Sequence, residues 1–236
     1  MLKKLLMIED NARLISITGA GGKTTLMHLL AREYSTKGVK AAMMTTTQTF
    51  VSEAPYVENI TGESAQELLA AWDRGKVPFA GRRTQKISPN GEPVTKYIVP
   101  SESAMKNLTK FSEVIVNEAD GAARKAIKYP AVWEPVIPLH TDTVITVAGL
   151  SALDQPFATA CHRQELYMKN TGRKPDTITE EVFADLITEG YYHLRPTVFL
   201  NQADTPELYK RGQRIQELLY QRGFSRVAIG SLHQYQ

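Results

Sequence analysis

The sequence predicts an α/β fold: a doubly wound, mostly parallel sheet with helices on both faces and a small inserted β-hairpin. Short apolar, β-branched runs alternate with longer stretches whose apolar residues recur at helical spacing. One run passes straight into a glycine-rich turn, and polar or acidic residues gather where the others stop. Ligands of parallel sheets sit beyond the carboxyl ends of the strands, so this distribution suits the fold. The 236 residues, 42% of them hydrophobic, suffice for one domain spanning 1–236.

LISIT (14–18) is the first strand and stops at glycines. The segment TTLMHLLAREYSTKG follows as a helix, with Leu26, Leu29, Leu30 and Tyr34 on one face and Gly38 as its stop. VKAAMMTTT is the second strand and runs into threonines. Residues 64–74 form a helix with Ser64 as N-cap and Glu67 three residues on, the pattern of a capping box. At about 76–99, KVPFAGRRTQ and PVTKYIVP flank the turn sequence SPNGEP and predict the hairpin. A short helix over SESAMKNLTKF leads into the strand SEVIVNEADGA. DTVITVAGL, RPTVFLNQAD and SRVAIGSL are three more strands, with helices at about 158–170, 178–189 and 205–222 between or beside them. Right-handed crossovers join such units.

Composition excludes several classes. The formal net charge is +3, from 28 basic and 25 acidic residues, which is too balanced for a nucleic-acid binder. One cysteine rules out an internal disulfide framework and favours a reducing compartment. The N-terminal residues include only four consecutive apolar residues before Glu9, too few for a signal peptide, and no run spans a bilayer. A cytoplasmic protein without a membrane partner is expected. The histidines show no zinc-ligand spacing with the cysteine.

The turn Gly19-Ala20-Gly21-Gly22-Lys23-Thr24-Thr25 carries the chemistry. Glycines let successive N–H groups point at an anion, and the helix N-terminus adds positive partial charge. Lys23 would reach the terminal phosphates and the Thr24 hydroxyl would ligate Mg²⁺. The spacing is shorter than G-x-x-x-x-G-K-[ST], yet strand, glycines, Lys-Thr and helix stand in P-loop order, so the fold is P-loop NTPase-like. Such a site needs an acidic residue ending a neighbouring strand, and Glu118 and Asp120 after Val114-Ile115-Val116 supply two. Two apart, they leave the strand on one face, one for magnesium and one for a water or substrate; a helix-capping role is the bland alternative. In TTTQTF, residues 45–50, threonines follow the second strand, and their hydroxyls, Thr46 among them, would line the metal or γ-phosphate unless they simply favour the strand. Asn201-Gln202-Ala203-Asp204 looks like the N-K-x-D base-recognition element with glutamine for lysine. Asp204 would accept from the two donors on guanine's edge, or serve as N-cap of the next helix, so ATP and GTP both stay open.

The short G-x-x-G-K-T-T loop with threonines after the next strand resembles the ATP site of the Mur ligase and folylpolyglutamate synthase group. ITGAGGKTTLM, TTT, NEADGAARKAIKYPAVWEPVIP, VAGLSALDQPF, CHRQE and LNQAD together resemble the YqeC family over most of the chain, in order. That resemblance implies an accessory factor in the maturation of selenium-dependent molybdenum hydroxylases, within selenium cofactor biosynthesis, with such an enzyme as partner. Among the matched residues, Arg124, Lys125 and Lys128 would neutralise developing charge beside a triphosphate or bind a second anionic substrate. Glu134, in a proline-stiffened loop, would anchor Arg124 or Lys128. Cys161 is either a reactive thiol beside His162 and Arg163 or a small buried hydrophobe, since helix neighbours do not face each other. His162 and Arg163 are substrate or phosphate contacts. The leading reading is a Mg²⁺-dependent NTPase with Lys23, Glu118, Asp120, Arg124 and Lys128 in its catalytic centre. The alternatives are a ligase or kinase making an acyl phosphate on a small acid, and a non-enzymatic nucleotide-dependent switch.

Overall fold

The computed structural model describes residues 1–87 and 90–235. Helix α1 (Leu2–Leu5) precedes β1 (Leu14–Gly19), α2 (Lys23–Ser35) and β2 (Ala41–Thr45). Then come β3 (Thr49–Phe50), β4 (Val57–Ile60), α3 (Ala65–Asp73) and β5 (Val77–Ala80). The hairpin strands β6 (Arg82–Ile87) and β7 (Pro93–Ile98) lead to α4 (Glu102–Phe111), β8 (Val114–Glu118) and β9 (Ile127–Lys128). The rest is β10 (Thr143–Gly149), α5 (Phe157–Ala160), β11 (Cys161–His162), α6 (Gln164–Thr171), α7 (Glu180–Tyr191), β12 (Thr197–Asn201), α8 (Pro206–Gln221) and β13 (Val227–Ile229).

Among the described residues, eight strands form one sheet in the order β13-β12-β10-β1-β8-β2-β5-β4, and its pairings are parallel. The expected α/β architecture is therefore present. Apolar residues on one face, among them Ile15, Ile17, Met43, Val116 and Val147, pack under α1 and α2. On the other face Ala42, Met44 and Ile115 meet Leu68 of α3 and Leu108 of α4, while Ala148, Val198 and Leu200 meet α7 and α8. Alternation along each strand sends neighbours to opposite faces, so a strand buried on both sides reads as one apolar run. Strand β1 sits between β8 and β10, where the chain's path across the sheet reverses, and that switch point is where such sheets bind ligands.

Three expectations are corrected. The segment expected as the first arm of the hairpin is two elements: β5 lies parallel between β2 and β4, and β6 pairs with β7 beyond Gly81. A Cβ at Gly81 would lie 2.8 Å from the Tyr97 ring, so the chain turns there only without a side chain. Strand β4, an edge strand with mixed burial, has no periodicity strong enough to read. The helix expected at 158–170 is broken: α5 stops, Cys161 and His162 pair with Ile127 and Lys128, and Arg163 turns left-handed at φ 62° before α6. Glu67 does not close a capping box; its carboxylate accepts from the Thr61 and Gly62 amides at 3.0 and 2.8 Å, while Ser64 does cap α3. Ser88 and Pro89 of the expected SPNGEP turn lie outside the described residues. Among the described residues no helix is long and apolar enough to cross a membrane.

Candidate functional site

β1 ends at Gly19 and α2 begins at Lys23, so three residues make the whole turn. It lies hard against β10: a Cβ at Gly19 would fall 2.1 Å from the Val147 carbonyl oxygen, and one at Gly21 2.5 Å from the Gly149 nitrogen. Both residues have positive φ, 93° and 79°, which glycine adopts without strain. Helices α3, α4, α7 and α8 are capped by Ser64, Ser101, Thr179 and Thr205. α2 has no side-chain cap. The first-turn N–H groups of a helix lack partners inside it, so the amino end of α2 faces the cleft ready for an acceptor.

Lys23 curls back over the turn. Its Nζ donates to the Gly19 carbonyl at 2.8 Å and lies 3.4 Å from Asp120 Oδ1 and 3.9 Å from Glu118 Oε1. The structure thus brings Lys23, Thr24, Glu118 and Asp120 together, and it separates the roles of the two acids. Asp120 Oδ2 accepts from the Thr18 hydroxyl at 2.8 Å and the Gly19 amide at 3.1 Å, and Lys128 Nζ lies 3.0 Å away. Asp120 is fully buried and holds the turn in place. Glu118 lines the cleft and accepts from Thr24 at 2.9 Å and Thr49 at 3.2 Å. Burial pushes the Glu118 carboxyl up from its ordinary pKa, outweighing Lys23 and the two hydroxyls. Thr46 lines the same cleft, but its hydroxyl donates to the Val136 carbonyl at 2.6 Å. Thr49, in the same stretch 45–50, is with Thr24 the hydroxyl that reaches the acid.

Lys128 is buried and occupied. It lies 2.9 Å from Glu134 Oε2, besides Asp120, and donates to the Gly121 carbonyl at 2.6 Å. Glu134 also takes the Arg163 guanidinium on both oxygens at 3.1 Å. Burial alone would raise the Glu134 carboxyl; Lys128, the Ala131 amide and Arg163 reverse this and hold it below the usual range. Glu134 therefore anchors Lys128, as one expectation had it, and Arg163 rather than Arg124. His162 lies beside Lys128 across the β9–β11 pair, and burial, then Lys128 and Arg163, hold its imidazole below the ordinary value. Cys161 packs in the core and burial pushes its thiol up to about 12, which makes it the small hydrophobe of the two readings.

At the other side of the turn, Asn201 Nδ2 donates to the Gly21 carbonyl at 2.7 Å and its Oδ1 accepts from the Leu232 amide at 3.0 Å. Asn201 is thereby a brace between the turn and the chain after β13. Gln202, where N-K-x-D has lysine, accepts from the Ser151 hydroxyl at 2.7 Å. Asp204 accepts from Ser231 and, with Asn201 and His233, borders a small recess of about 80 Å³ beside Gly22. It is not the N-cap of α8, because Thr205 is. The main cleft, about 1030 Å³, runs from Lys23 and Glu118 past Thr46–Phe50 and Arg124 to His162 and Arg163.

A family model described as YqeC protein matches residues 15–165. The uncharacterized protein YqeC of Escherichia coli (strain K12) is 28% identical over 187 residues, covering 76% of this chain and 68% of that protein. A solved GTPase from Pyrococcus abyssi, in its apo form, aligns with 95% of this chain and 92% of its own at 14% identity and a TM-score of 0.36. The sheet order and the turn of the chain itself, rather than that likeness, define the fold.

Proposed function

The chain belongs to the YqeC family, and we propose that it binds a nucleoside triphosphate with Mg²⁺ at the Gly19–Thr25 turn and hydrolyses it. The observation that carries this reading is Lys23 folded over an uncapped helix start, facing Glu118 and Asp120 with Thr24 on Glu118. The amino end of α2 and Lys23 would receive the terminal phosphates, with Lys23 giving up the Gly19 carbonyl for them. Thr24 and Glu118, whose oxygens lie 2.9 Å apart, would hold the metal. Such a pair suits Mg²⁺, which takes one or two carboxylates plus phosphate oxygens; among the described residues no group of three or more His, Cys, Asp or Glu could hold a metal alone. When bound, the metal supplies neutralisation of charge on the phosphates. Glu118, which lines the cleft, would also orient a water beside the phosphates. Asp120 and Lys128 act as positioning residues through the turn. Of the two base contacts expected, Asn201 is spent on the turn, so Asp204 is the one we assign to the base.

Calorimetric titration of Mg-ATP and Mg-GTP tests the reading. Binding of at least one is expected, with a loss of tenfold or more, about 1.4 kcal/mol or more, in both Lys23→Ala and Glu118→Gln. Equal affinity in Lys23→Ala and the intact chain would sink it. A preference for ATP would relegate Asp204 to a structural acceptor for Ser231. The accessory role in maturing a selenium-dependent molybdenum hydroxylase is supported by the resemblance of the sequence blocks. Cells lacking the protein should lose that hydroxylase activity and regain it with the intact chain but not with Lys23→Ala.

A further inference from the structure

We propose that the outer wall of the cleft holds a second, separate site for a small dianionic oxyanion of the phosphate-monoester class, built by Lys96, Phe50 and Arg124. The three residues come from β7, β3 and the segment after β8, and they converge on one aromatic ring. Lys96 Nζ lies 4.7 Å from the centroid of Phe50 and the Arg124 guanidinium 5.3 Å from it. Phe50 is 43% exposed, Arg124 is exposed and Lys96 half-buried, and all three line the cleft.

The other cations of the cleft are committed. Lys23 faces Glu118 and Asp120, Arg163 is held by Glu134, and Lys125 donates to the Thr159 carbonyl. Among the described residues, Lys96 and Arg124 make no ion pair with a carboxylate, and each is held by the same ring. Ala123 and Arg124 both have positive φ, 46° and 60°, a conformation that residues with a side chain seldom adopt. From that backbone the Arg124 side chain reaches Phe50 of β3. A guanidinium matches the oxygens of a phosphate in pairs, and a lysine adds a point charge, so the two together suit a dianion. The cleft, at about 1030 Å³, lies at the upper end of the roughly 300–1,000 Å³ range for one ligand, which leaves room beside a nucleotide. The inference rests on the nucleotide reading for the use of the anion as a second substrate. Its place rests on the Lys96–Phe50–Arg124 geometry alone.

Titration of inorganic phosphate, followed by ³¹P NMR and calorimetry, tests it in four proteins: the intact chain, Lys23→Ala, Lys96→Gln/Arg124→Gln and the triple variant. The expected result is two sites in the intact chain, one in Lys23→Ala, one in the double variant and none in the triple. Two sites in the double variant, or a single site in the intact chain that Lys23→Ala removes, overturns the proposal. If Lys23→Ala keeps the stoichiometry of the intact chain while the double variant loses a site, the outer site stands and the nucleotide reading falls. Lys96 is half-buried and Arg124 exposed, so neither change opens a cavity, and thermal melts of each variant check folding.

Discussion

Lys128 is the residue whose environment says most. Its side chain and that of Asp120 are fully buried, Glu134 is 10% exposed, and Arg163 closes the far side of Glu134. Removing one partner of a buried pair strands the other charges, at a cost of about 3–5 kcal/mol. Lys128→Met should therefore lose roughly that much stability in chemical denaturation at neutral pH. The loss should depend on pH in a stated direction. The Glu134 carboxyl is held below the usual range in the folded chain, so its contribution is complete above the unfolded value of about 4.3 and fades as pH falls through the folded one. Without Lys128 the largest part of that contribution is gone, and only the Ala131 amide and Arg163 remain to favour the carboxylate. The gap between intact chain and variant should narrow as pH falls below about 4.3; a gap that is constant with pH would contradict the ion-pair account.

The turn between β1 and α2 works because its backbone touches that of β10. At Gly21 an added Cβ would meet the Gly149 nitrogen at 2.5 Å and the Ala126 carbonyl oxygen at 2.6 Å, at φ 79°. Gly21→Ala should cost more than about 1 kcal/mol from conformation alone, with the backbone clash added, read as a lower denaturation midpoint. An unchanged midpoint would mean that the turn can move away from β10. The glycine turn was legible because strand, glycines and Lys-Thr are adjacent in the chain. The break between α5 and α6 was not, because helical spacing across 158–170 is outweighed by the pairing of Cys161 and His162 with Ile127 and Lys128. A two-residue pairing leaves no periodic mark. β5 likewise resembled a hairpin arm because an apolar run of four residues fits either partner; its four buried side chains decide for the main sheet.

Across the molecule, the site draws on the carboxyl ends of β1, β8, β10 and β12, and on loops from both faces. A ligand seated there should stabilise the whole fold rather than one element. At a hundred times its dissociation constant, a Mg-nucleotide adds about 2.7 kcal/mol, which for a chain of 236 residues unfolding in one step amounts to roughly 5–10 °C in Tm. At the same ligand concentration Lys23→Ala, weakened tenfold or more, should show at most about half that rise, and a rise of the same size in that variant would place the ligand elsewhere.

The α/β class, the succession of most strands and helices, the glycine turn with its lysine, and the acidic pair at a strand end can all be read from the chain alone. Each follows from spacing along the chain, through apolar periodicity and the turn chemistry of glycine. It takes the packed molecule to show that Asp120 holds the turn while Glu118 faces the cleft, and that Thr49 rather than Thr46 reaches that acid. Only it showed Glu134 joining Lys128 to Arg163, and Asn201 bracing a glycine 180 positions away. Those assignments depend on which polar atoms are buried next to each other, and a buried donor must find its acceptor wherever the packed layers bring one.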